Sequence, residues 1–115
     1  MTEGRIPFAF GETWYRIVGD GEEPGKLPLV CLHGGPGAQH DYIEPLGALA
    51  ETGRRVVFYD QIGCGDSFVE ADPSAWTVEL FVGELGNLRE TLGLERIHLF
   101  GSSWGGMLAM EYALT

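Results

Sequence analysis

The segment Gly101-Ser102-Ser103-Trp104-Gly105 constrains this chain more than any other. It follows an apolar run, Arg96-Ile97-His98-Leu99-Phe100, and leads into a helix-like run from Met107 to Ala113. A Gly-x-Ser-x-Gly sequence between a strand and a helix fits a sharp turn that lifts the central hydroxyl clear of the backbone. Glycine on either side of the turn lets strand and helix approach without a Cβ clash. Ser103 would then stand at the positive end of a helix, where developing negative charge is stabilised.

The remaining sequence reads as a scaffold for that turn. Ile6 to Phe10 and Thr13 to Val18 have the pattern of two short strands, with Gly11-Glu12 between them as the hairpin turn. Asp20 to Lys26 is a polar loop rich in turn formers. Leu27 to Leu32 and Arg55 to Tyr59 read as strands covered on both faces, as in a parallel sheet. A helix is expected over Tyr42 to Glu51, with Asp41 as N-cap, Glu44 at the capping-box position and Gly53 as its stop. Residues 77 to 92 form the clearest helix: Val78, Phe81, Leu85, Leu88 and Leu92 make one apolar stripe between Thr77 and Gly93. Ile97 to Phe100 is the last strand.

The order β, β, β, α, β, α, β, α implies an α/β fold. Its sheet should be mixed, antiparallel at the first edge and parallel in the remainder, with helices on both faces. At 115 residues the chain holds at most one domain. Three glycine-rich segments, 33–37, 60–67 and 101–106, fall at the carboxyl ends of strands, where ligands bind in such sheets. They are expected to converge in space.

Ser103 is the candidate nucleophile, since a serine held in such a turn can be activated by a neighbouring base. The backbone N–H of Trp104 would point at the oxyanion of a tetrahedral intermediate, and Gly35 is the candidate second donor, in a loop stiffened by Pro36. His33 is expected to brace that loop by hydrogen bonding rather than to act as the base. His98 should point into the packing layer of the sheet, and His40 should be a surface residue of the loop or of the helix entry. Asp60 and Asp66 are expected to serve local turn bonding. In α/β-hydrolases the acid and the histidine follow the serine in the chain, and only 12 residues follow Ser103.

A net charge of −10 disfavours nucleic acid or an anionic membrane as partner. No apolar stretch approaches the length of a membrane helix, and the first residues lack a signal-peptide pattern, so a cytoplasmic protein is expected. Cys31 lies in a strand run and Cys64 in a glycine-rich loop. Neither has a second ligand at metal spacing, so no metal or cofactor is expected.

The three segments His33-Gly34-Gly35-Pro36-Gly37, Asp60-Gln61-Ile62-Gly63-Cys64-Gly65-Asp66-Ser67 and Gly101 to Gly106 resemble the N-terminal motifs of proline iminopeptidases. These are α/β-hydrolase serine peptidases related to amino-acid amidases. The resemblance spans essentially the whole chain. It implies Ser103 as nucleophile, Gly35 and Trp104 as oxyanion donors, and His33, Gly34, Pro36, Gly37, Asp60, Gln61, Gly63, Cys64 and Gly65 as residues that line or support the site. The implied substrates are short peptides with an N-terminal proline, or amino-acid amides. Ile62 departs from the pattern, which has a basic residue there. By the same resemblance, residues 1–115 form an incomplete core that runs from the first strands through the nucleophile helix. The substrate cap, the catalytic acid and the histidine are absent, so the isolated chain is expected to be inactive, and poorly soluble along its open last strand. Two other readings stand beside this one: an amidase or esterase on the same scaffold, and a non-catalytic chain that completes another chain's sheet.

Overall fold

A computed structural model describes residues 2–34, 40–67 and 76–114, with the backbone alone for residues 40–42. Among the described residues five strands form one sheet: β1 (Thr2–Phe8), β2 (Gly11–Val18), β3 (Leu29–Leu32), β4 (Val56–Asp60) and β5 (His98–Gly101). They lie side by side in the order β1-β2-β4-β3-β5. β1 pairs with β2, and β2 with β4, antiparallel; β3 runs parallel to both β4 and β5. The mixed sheet expected from the order of elements is therefore present.

Side chains alternate between the two faces of a strand, and this divides the core in two. Val30, Leu32, Val57 and Tyr59 point to one face, where Phe81, Leu85 and Leu88 of α1 (Val78–Leu92) and Leu108 of α2 (Trp104–Ala113) cover them. Cys31, Val56 and Phe58 point to the other, against Ile43, Leu46 and Ala50 of a 3₁₀ segment, His40–Thr52. Two covered faces explain why β3 and β4 read as unbroken apolar runs.

α1 has the ends its sequence predicts. The Thr77 hydroxyl accepts the Leu80 N–H at 3.1 Å. Gly93 takes the left-handed conformation at φ 69°, and the N–H groups of Gly93 and buried Leu94 return to the carbonyls of Glu90 and Arg89. That pair of bonds is a Schellman ending. The stripe itself needs correction: Val78 is exposed, and Glu84 is fully buried on the inward face.

Other elements also depart from the sequence reading. The hairpin turn is Ala9-Phe10, not Gly11-Glu12, because Gly11 pairs with Phe8 and Ala9 itself takes φ 46°. β3 starts at Leu29, two residues after the expected start. The helix expected over 42–51 is a 3₁₀ segment containing Pro45, which has no N–H to give an α-helical bond. Asp41 lies inside this segment rather than at its N-cap, and the Glu44 carboxylate pairs with Arg16 of β2. His98 is exposed rather than packed, because β5 has only β3 beside it among the described residues.

Candidate active site

β5 ends at Gly101 and α2 begins at Trp104, so the chain reverses over two residues. Ser103 takes φ 55° and ψ −114°, a conformation that L-residues rarely adopt, and the residue is exposed. The reason is the tight seat on either side. A Cβ on Gly105 would stand 2.7 Å from the His33 carbonyl oxygen and closer still to that of Leu32. A Cβ on Gly101 would stand 2.5 Å from the Gly106 nitrogen and nearer to the Gly105 carbonyl. Only glycine fits at either position. The Ser102 N–H donates to the Leu32 carbonyl at 3.2 Å, which ties the turn to the end of β3.

The Ser102 carbonyl accepts from Gly105, and the Ser103 carbonyl from Gly106 and Met107. Trp104 is the first residue of α2, and the helix itself offers its N–H no acceptor. The exposed Ser103 thus stands at the positive end of a helix with no acidic residue in its first turn.

Three segments meet beside this turn. The Gln61 N–H donates to His33 Nε2 at 2.9 Å, so that nitrogen carries the lone pair. The proton of a neutral ring then sits on Nδ1, which lies 2.7 Å from the Gly34 carbonyl. The Gln61 side chain donates through Nε2 to the His33 carbonyl and accepts through Oε1 from the Trp104 indole N–H, both at 2.9 Å. His33 and Gln61 are fully buried. Both ring nitrogens of His33 are engaged in the loop, which matches the bracing role expected of it.

The loop after β4 is held from within. Cys64 donates to the Gln61 carbonyl, Ser67 to that of Cys64, and Gly63 to that of Ser67. Gly63 takes φ 87° with its α-carbon against the Trp76 ring, and Gly65 takes φ 46°. Asp60 is the last residue of β4 rather than a loop residue; its Oδ2 accepts the Asp66 N–H at 2.9 Å, the turn bond expected of it. Asp66 is exposed. Ile62, where the resemblance expects a basic residue, is buried in the core. Gly35, Pro36 and Gly37 lie outside the described residues, as do the side chains of His40 and Asp41.

Sequence reasoning missed Glu84, and it placed Ser67 in the site loop without giving its hydroxyl a partner. The Ser67 hydroxyl accepts the Trp14 N–H at 2.8 Å and fastens the loop to β2. Glu84 accepts the Ile62 N–H at 3.0 Å through Oε1 and the Thr13 hydroxyl through Oε2. Burial pushes its carboxyl up to about 7, against the pull of those two hydrogen bonds and with the Asp60 charge adding to the rise. The one available signal was its place in the stripe, three residues after Phe81 and next to Leu85.

His98 is the first residue of β5, at the far end of the strand from Ser103. No cluster of potential metal ligands, and no helix long and apolar enough to cross a membrane, occurs among the described residues.

Residues 28–115 match the family model of the α/β hydrolase fold. A proline iminopeptidase of Clostridioides difficile is 55% identical over 114 residues, which is 99% of this chain and 39% of that protein. One from Lactobacillus helveticus is 54% identical over 97% of the chain and 38% of its own length. The crystal structure of proline iminopeptidase from Mycobacterium smegmatis superposes with a TM-score of 0.92 at 44% identity, covering 98% of this chain and 39% of that one. The chain therefore spans about two-fifths of the length of these relatives.

Proposed function

The chain belongs to the α/β-hydrolase fold family, and from that premise we propose that it is the nucleophile-bearing part of a serine hydrolase of proline iminopeptidase type. The substrate class is short peptides with an N-terminal proline. The observation that carries the reading is Ser103: an exposed serine in a strained bend, between two glycines that admit no side chain, at the head of α2.

In this reading Ser103 Oγ attacks the carbonyl carbon of the N-terminal residue. Its proton passes to a histidine in the length of the relatives that this chain does not span. The carbonyl oxygen becomes an oxyanion that accepts hydrogen bonds from the Trp104 N–H and, as the loop order suggests, from Gly35. One such donor is typically worth about 10²–10³ in rate. The tetrahedral intermediate collapses, the C–N bond breaks, and the departing amine takes the proton from the histidine. Water, deprotonated by the same histidine, then cleaves the acyl ester and restores Ser103. The His33–Gln61–Trp104 linkage supports this by tying the loop that leads to Gly35 to the residue carrying the other donor.

The test is a chimera in which residues 2–115 replace the matching segment of the Clostridioides difficile relative. It should release proline from prolyl-p-nitroanilide and react with a fluorophosphonate probe, and Ser103→Ala should abolish both. A folded chimera whose Ser103→Ala form keeps either property would overturn the assignment.

A further inference from the structure

The carboxyl of Glu84 joins three elements and reaches the site through one peptide group. It projects from α1 and is fully buried. Its two oxygens serve different partners: the Thr13 hydroxyl of β2 and the Ile62 N–H at the start of the loop after β4. A carboxyl is costly to bury, by several kcal/mol when ionised, so two bonds that merely fasten a helix to a sheet would be a poor use of one.

The geometry offers more. The Ile62 N–H shares its peptide group with the Gln61 carbonyl, which accepts from Cys64. The plane of that peptide is therefore gripped on both edges, and the residue it orients is Gln61. The Gln61 side chain holds the His33 carbonyl on one side and the Trp104 indole on the other. We propose that Glu84 is a positioning residue for the candidate site: through the Ile62 amide it sets the seat of Gln61, and with it the spacing of the His33 and Trp104 segments beside Ser103. This rests on the reading of Ser103 as nucleophile.

The charge state of Glu84 then matters to the site. Ionised, it accepts from both donors; protonated, one oxygen turns donor and the grip on Ile62 weakens. Burial pushes this group up to about 7, so both states are populated near neutral pH. The titratable groups that face it come from β4. Asp60 is fully buried, and its negative charge opposes ionisation of Glu84. The Tyr59 hydroxyl is buried with no hydrogen-bond partner among the described residues; burial, then the Glu84 charge, then Tyr112 of α2 hold it protonated. Thr13, on β2, does not titrate.

The experiment follows three resonances of the ¹⁵N-labelled chimera from pH 5.5 to 8.5: the Ile62 amide, the Trp104 indole N–H and the His33 ring nitrogens. All three should shift together with a midpoint near 7, and Glu84→Gln should flatten all three. A shift confined to Ile62, or no shift, reduces Glu84 to a structural tie and overturns the proposal. Should Glu84→Gln fail to fold, Thr13→Val serves instead: it removes one bond that favours the ionised form, so the common midpoint must rise, and an unmoved midpoint overturns the proposal. In the chimera, Glu84→Gln should lower kcat about tenfold and leave KM within about twofold; an unchanged kcat in an active chimera overturns it equally. Because the resonances do not depend on hydrolysis, a wrong nucleophile assignment shows in the Ser103→Ala result alone.

Discussion

Gly105 at the start of α2 lies so close to the Leu32 carbonyl oxygen at the end of β3 that no side chain fits between them. The obstacle is backbone, which cannot swing aside as a side chain can. Gly105→Ala should therefore destabilise the chain by about 3 kcal/mol or more. Gly21→Ala, where a Cβ meets nothing within 4 Å, should change stability by under about 0.5 kcal/mol. Urea unfolding of both variants checks the contrast; equal midpoints would mean that helix and strand stand further apart.

Ser103 itself holds a conformation that costs an L-residue about 1–3 kcal/mol. Ser103→Gly should raise stability by about 1 kcal/mol while removing the hydroxyl, and Ser103→Ala should leave stability nearly unchanged. A loss of stability in Ser103→Gly would show that the bend is unstrained.

Gln61 both donates and accepts, so neither half of its amide is dispensable. Gln61→Glu keeps an acceptor for the Trp104 indole but sets a carboxylate against the His33 carbonyl at a fully buried position. The expected cost is about 2–4 kcal/mol at neutral pH, and it should shrink on acidification as the new carboxyl takes up a proton. Thermal unfolding at pH 5 and pH 8 measures both parts.

Glu84 should leave a pH signature on stability. The folded carboxyl keeps its proton up to about 7, the unfolded one only to its ordinary 4.5. Between those values the folded chain binds more protons, so raising the pH through this window weakens the fold, by about 3 kcal/mol in total from this group. Above the window the loss is complete. In Glu84→Gln this part of the pH dependence should vanish, as urea midpoints at pH 4.5 and 8 would show.

What the sequence disclosed depended on how local each signal was. β3 and β4 were legible because burial on both faces leaves a run without polar interruption, and α1 because Thr77 and Gly93 mark its ends. The Gly-Ser-Ser-Trp-Gly bend was legible because its steric needs are met within five residues. Ala9 in the hairpin turn ran against expectation, since a neighbouring glycine offers the positive φ at lower cost. Pro45 turned an expected α-helix into a 3₁₀ segment through one missing donor. Glu84 and the partners of Gln61 are tertiary facts: each depends on residues 22 or more positions away, and no local pattern announces them.

The amide at position 61 also bears on how the turn that carries Ser103 is assembled. Its partners lie 28 residues earlier and 43 residues later in the chain. Bringing residues so far apart in the chain together costs loop-closure entropy that a helix or a two-residue hairpin does not incur. The hairpin and α1 can therefore be in place while this junction is still open. The junction beside the serine should therefore order on refolding only once β3, β4 and α2 have come together.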